Sequence, residues 1–197
     1  MKCLILLIVK KLLAKLITYA FFPGTMGLLG FVMLTPAEGS FWMHGLFLIV
    51  LPLLVLFILL KLNRISDVSI YNRGERFIPL LLTTLLALLD LVLVQESGYI
   101  KVWQYVYILG SVIASLTTRL LLKISLHGIG VGSFFGLCLF GYLSNDLTLE
   151  LLITSLVIGI AVYWARRSLQ AHSHKELIAG VSTGFLVTFV MYFSYGL

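Results

Sequence analysis

Between Trp164 and Gly184 the chain reads Trp-Ala-Arg-Arg-Ser-Leu-Gln-Ala-His-Ser-His-Lys-Glu-Leu-Ile-Ala-Gly-Val-Ser-Thr-Gly, a dense polar cluster wedged between two strongly apolar segments. Arg166 is followed after five residues by His172, and His172 after three more by Glu176. On a helix the last step puts both side chains on one face, where a carboxylate can hold an imidazole in one tautomer and orientation. Two further polar groups stand earlier, Arg73 with Arg76, and Lys123 with Ser125 and His127. Arginines, a serine, two histidines and one carboxylate, without an Asp/Glu pair, make a poor cation site and a good oxyanion site. Arginine forks match phosphate oxygens bidentately and stay charged at any accessible pH. Two histidines on separate loops can divide the work into nucleophile or base and acid. Phosphoryl transfer without a metal ion or cofactor is the reaction class these side chains suit.

Whether they meet depends on the apolar segments between them. Of 197 residues, 60% are hydrophobic and 11% charged, with a mean hydropathy of +1.09, far above an ordinary soluble domain. The composition describes one all-α, polytopic transmembrane helix bundle over residues 1–197. The formal charge of +6 does not point to nucleic acid, because the basic residues lie at the ends of apolar segments instead of forming a stripe. Cys3 and Cys138 sit in apolar surroundings without metal-ligand spacing, so packing is the expected role of each. Met1–Val9 meets Lys10 and Lys11 without a small-residue cleavage site, which argues against a removable signal peptide.

About six to eight membrane segments follow from the hydropathy. Residues 3–22 carry Lys10, Lys11 and Lys15 and either span or lie in the interface, where lysines snorkel. Pro23-Gly24 ends that segment, and a short apolar run covers Thr25–Leu34. Phe41–Leu62 has the length of a span, with Pro52 expected to kink it. A polar loop, A, runs from Lys61 to Arg76. Spans Phe77–Gln95 and Lys101–Leu122 follow, joined by a tight turn at Glu96-Ser97-Gly98-Tyr99. Loop B is Lys123-Ile124-Ser125-Leu126-His127. Spans Gly128–Leu143 and Leu147–Ala165 lead to loop C, the polar cluster, and a last span begins near Leu177. Two spans separate A from B and B from C, so all three loops emerge on one side of the membrane. Arg73, Arg76, Lys123, Ser125, His127, Arg166, His172 and Glu176 can therefore converge, while Glu38, Glu96, Lys101, Asp146 and Glu150 lie opposite.

These residues resemble the type 2 phosphatidic acid phosphatase superfamily, whose motifs are Lys-x6-Arg-Pro, Pro-Ser-Gly-His and Ser-Arg-x5-His-x3-Asp. The third is similar to Ala165-Arg166-x5-His172-x3-Glu176 with its spacing intact, and the second to Ile124-Ser125-Leu126-His127. The first is matched loosely by Arg73-Gly-Glu-Arg76 followed by Pro79, with Ser69 where the family lysine stands. The resemblance covers approximately residues 64–185, so the motif-bearing core falls within 61–185. It implies an integral-membrane lipid phosphatase in which His172 attacks phosphorus, Glu176 orients it and His127 protonates the leaving alcohol. Arg76, Arg166, Arg73 and Ser125 would bind the phosphoryl oxygens, with Arg73 or Lys123 replacing the family lysine. The partners implied are a lipid phosphate and the surrounding membrane lipids.

Plainer roles are expected for other residues. Arg64, Arg119, Arg167 and Lys175 read as topology signals and head-group anchors, His174 as a solvated neighbour of His172, and His44 as an interfacial residue. Asp90 has a structural role and reaches water near the Glu96 turn. Gly128, Gly132 and Gly136, and Gly180 with Gly184, repeat at four-residue steps suited to close helix packing. A non-catalytic binding or transport protein for an anionic phospholipid would use the same arginines. Lys61, Arg64, Arg119, Arg167 and Lys175 on the loop side against Lys101 opposite favour a cytoplasmic site by the positive-inside bias. The resemblance favours a bacterial inner membrane with the site facing the periplasm.

Overall fold

The computed structural model describes residues 2–34, 40–67, 70, 72–120 and 124–195. Lys123, Ser69 and Glu38 lie outside the described residues. The described chain is helical and strandless, an integral multi-pass bundle. Among the described residues, six helical segments are long and apolar enough to cross a membrane: Ser40–Lys61, Arg73–Leu93, Ile100–Arg119, Leu126–Leu143, Leu149–Ser168 and His174–Ser194. Such segments are helical because hydrocarbon offers no partner for a backbone N–H or carbonyl, and a helix satisfies both internally.

Helix α1 (Lys2–Ala20) precedes α2 (Pro23–Leu34), and the break falls at Phe21-Phe22. Pro23 then occupies the first position of α2, where a missing N–H costs nothing. Lys10, Lys11 and Lys15 are exposed, and α1 rests on the bundle through Ala14 and Thr18, alongside α8. The next rod combines α3 (Ser40–Gly45), a π-helical turn (Leu46–Val50) and α4 (Leu51–Lys61). Pro52 lacks the N–H that would bond Leu48, and the Leu51 N–H reaches back five residues to the Leu46 carbonyl. The expected disturbance at Pro52 is thus a wide turn just before it.

Helices α5 (Phe77–Leu93), α6 (Gly98–Leu120), α7 (Leu126–Leu143), α8 (Leu149–Ser168) and α9 (His174–Ser194) complete the bundle. Its centre is α7, which buries Phe134, Leu137 and Cys138 and packs most closely on α9. The glycine steps make that approach possible. A Cβ on Gly132 would lie 2.0 Å from the Val181 carbonyl oxygen, and one on Gly184 would lie 2.1 Å from that of Ile129. Both obstacles are helical backbone, which cannot step aside.

Candidate active site

Four helix ends assemble the site. Arg166 sits in the last turn of α8 and is buried. The helix closes with Gln170 in the left-handed region at φ 53° and the Ala171 N–H donating to the Arg166 carbonyl at 3.1 Å. This six-to-one bond is the Schellman ending, and it carries the chain back over the turn it has just left. The five-residue gap between Arg166 and His172 is the length that this reversal uses. Arg167 Nη1 then donates to the His172 carbonyl at 2.9 Å, so Arg167 clamps the reversed backbone.

Immediately beyond, Ser173 caps α9. Its Oγ accepts from the Glu176 N–H at 3.3 Å, while the Ser173 N–H donates to Glu176 Oε2 at 2.8 Å. The same oxygen lies 3.3 Å from His172 Nδ1. Glutamate fits here because the reciprocal cap needs a side chain that reaches back three residues. One carboxylate therefore starts the helix and orients the imidazole.

Arg76 precedes α5 and is buried. Its Nε donates to the Ile70 carbonyl at 2.9 Å and its Nη1 to the Ile124 carbonyl at 3.2 Å, which ties loop A to loop B. Ser125 caps α7 by accepting from the Gly128 N–H at 3.2 Å, and its own N–H donates to the Glu176 carbonyl at 3.2 Å. His127, in the first turn of α7, has Nε2 3.2 Å from the Thr18 carbonyl. A carbonyl only accepts, so Nε2 carries the proton of that bond. Phe22 presents an edge contact to the same ring at 6.3 Å.

Arg76, His127, Arg166 and His172 all line one cavity of about 160 Å³. Its polar end lies among these four; its wall continues between the helices past Leu80, Val106 and Trp103. On α6 the lining runs from Ser111 back to Trp103, about 12 Å of helix at 1.5 Å per residue. The charges of Arg166 and Arg76 act on each other and on His127, and Glu176 is the acidic group that acts on Arg76 in turn. Guanidinium groups facing a largely apolar enclosure favour an anion with an apolar attachment.

Convergence is not complete. Arg73 turns away: Nε donates to the Thr118 carbonyl and Nη2 to the Arg119 carbonyl at 3.3 Å, so it fastens loop A to α6 and does not line the cavity. Ser125 is fully buried, occupied as a helix cap, and outside the lining. His174 is exposed, as expected of a solvated neighbour of His172, and pairs with the Tyr163 hydroxyl on α8. Lys123 falls outside the described residues. The roof of the cavity, Thr18, Tyr19 and Phe22 where α1 gives way to α2, has no counterpart in the sequence reading. Its contact with His127 is through a backbone carbonyl 109 residues away, for which the sequence carries no signal.

The opposite end also departs from expectation. His44 and Asp90 are each 1% exposed and bonded to one another, so neither is interfacial nor open to water. Comparison with family models, curated proteins and solved structures finds no match to this chain.

Proposed function

We propose that the protein is a metal-independent membrane phosphatase that hydrolyses a phosphomonoester or pyrophosphate of a lipid through a phosphohistidine intermediate. The observation that carries this reading is the convergence of Arg76, His127, Arg166 and His172 on one cavity whose wall is apolar. The motif resemblance assigns roles to the same side chains.

With Glu176 accepting the Nδ1 proton of His172, the Nε2 lone pair is the nucleophile. It attacks phosphorus, the P–N bond forms, and the P–O bond to the leaving group breaks. His127, buried beside Arg76 and Arg166, takes up its second proton as the phosphate charge of the substrate offsets those guanidinium groups, and then passes its Nε2 proton to the departing oxygen, exchanging the Thr18 carbonyl for the substrate. Water then attacks the phosphohistidine, gives its proton back to His127 and releases inorganic phosphate with rupture of the P–N bond. Arg76 and Arg166 hold the equatorial oxygens, whose charge is greatest in the transition state. Engineered cavities of about 150 Å³ take one benzene, so this one has room for a phosphoryl group and the first carbons of a single chain. The rest of the lipid stays in the bilayer. The resemblance further suggests a bacterial inner membrane with the site on its periplasmic face.

The test is phosphate release by detergent-purified protein from a panel of lipid phosphates in EDTA, beside His172→Ala. Release that survives chelation and disappears in the variant supports the reading. Affinity for the phosphates without product would make the protein a binding or transport protein, and release by His172→Ala would remove His172 as nucleophile.

A further inference from the structure

At the end of the bundle away from Arg166 and His172, a second polar group is enclosed by helices. His44 on α3 and Asp90 on α5 are 1% exposed, and Gln104 on α6 is 2% exposed. Glu96, in the connection between α5 and α6, keeps 12% of its side chain exposed. His44 Nδ1 lies 2.9 and 3.0 Å from the two Asp90 oxygens, and His44 Nε2 lies 3.5 Å from Glu96 Oε1. Gln104 Nε2 is 3.1 Å from Asp90 Oδ2 and 3.2 Å from the Val94 carbonyl. Phe31 of α2 stacks on the imidazole at 4.0 Å and 15°.

Donor and acceptor counting locates the protons. The Val94 carbonyl only accepts, so the face of the Gln104 amide turned to it is the NH2. The same NH2 meets Asp90 Oδ2, which must accept. Two contacts remain: Asp90 to His44 Nδ1, a hydrogen bond that needs one proton between its atoms, and His44 Nε2 to Glu96, where Nε2 is buried without a hydrogen bond and the carboxylate oxygen stands 3.5 Å away. The closed arrangement thus holds one proton between Asp90 and His44 and offers a place for a second between Nε2 and Glu96. Without the second, the Nε2 lone pair is buried unsatisfied and faces a carboxylate, a costly arrangement there. The Asp90 side is sealed. The Glu96 side opens on a surface pocket shared with Gln95, Ser97, Lys101 and Tyr105.

We propose that His44 Nε2 and Glu96 Oε1 form a binding site for one exchangeable proton, reached from the membrane face opposite the arginine cavity. Among the described residues, the titratable groups that face it are Asp90 from α5, Lys101 and Tyr105 of α6 beside Glu96, and Tyr107 of α6, on which the Asp90 charge acts. Helix α2 contributes only the Phe31 ring, and the π turn is wholly apolar. When both protons are present the trio keeps one negative charge, which Lys101 offsets; losing one leaves two. Glu96 lies outside the helices and is the member able to turn to water, which releases α3 from the α5–α6 connection. The π turn that Pro52 imposes at Leu46–Val50 holds one more residue than an α-helical turn and so rotates His44 relative to α4.

The experiment is nitrogen NMR of the histidine rings of full-length protein in detergent. His127, His172 and His174 are replaced by Asn so that His44 gives the only ring signals. Expected are a protonated Nδ1 throughout and a reversible titration at Nε2. In Glu96→Gln that titration is lost, because the amide donates to a bare Nε2 and no labile proton is needed. A bare Nδ1, an Nε2 insensitive to pH, or an identical Nε2 titration in Glu96→Gln would each overturn the proposal. Should Glu96→Gln not fold, the first two readings on the Glu96 protein still decide. Should the histidine-depleted protein not fold, subtracting the spectrum of His44→Gln from that of the native chain isolates the same ring.

Discussion

The Ser125 N–H donates to the Glu176 carbonyl at 3.2 Å, stitching the start of α7 to the first turn of α9. The partners are 51 residues apart in the chain, and the bond joins the segment that presents His127 to the one that presents His172. The glycine contacts between α7 and α9 lie directly below it, so helix packing and site geometry are one structure.

Gly184→Ala therefore tests the site from a distance. A methyl group 2.1 Å from the Ile129 carbonyl oxygen must push α9 from α7, and overpacking of this kind costs about 1–3 kcal/mol. Thermal unfolding in detergent should show a lower midpoint, together with reduced turnover. A midpoint equal to that of the native chain would mean that the two helices are not in this register.

Glu176 has two separable duties. Glu176→Gln keeps a side chain long enough to accept from the Ser173 N–H but removes the charge behind His172, and a loss of about 10²-fold in kcat with little change in stability is expected. Glu176→Asp keeps the charge and shortens the reach, so it should lower the unfolding midpoint more than Gln does. Equal turnover for Glu176→Gln and the native chain would remove the orienting role.

Arg76 and Arg73 look equivalent in the sequence and should behave differently. Arg76→Lys leaves the Ile70 and Ile124 carbonyls with a poorer donor and takes a guanidinium from the cavity, so phosphate release should fall steeply, with about 1–3 kcal/mol of stability lost as well. Arg73→Ala breaks only the tie to Thr118 and Arg119, so its effect should appear in the unfolding midpoint while KM stays near that of the native chain. A large rise in KM for Arg73→Ala would place that side chain on substrate.

Thr18 meets His127 through its carbonyl, which any residue supplies, while its hydroxyl is buried with no hydrogen-bond partner among the described residues. Thr18→Val removes that unsatisfied group and keeps the shape. Stability should stay within about 1 kcal/mol or rise, with turnover retained. Loss of turnover at unchanged stability would show that the hydroxyl itself acts.

Much of this was legible without coordinates, for a shared physical reason. Apolar length in hydrocarbon leaves the backbone little choice but helix, and counting spans between loops then assigns each loop a side. The four-residue glycine steps are a helical periodicity, which local sequence expresses directly, whereas His172 precedes α9 and meets Glu176 across the Ser173 cap instead of along a helix face. Other features were decided only by the tertiary structure. Arg73 and Arg76 differ by which backbone carbonyls lie within reach, and a carbonyl carries no side-chain identity to read. The approach of the α1 terminus to His127, and the meeting of His44 with Asp90 46 residues later, follow from how whole helices pack, because contacts at such separations leave no trace in local pattern.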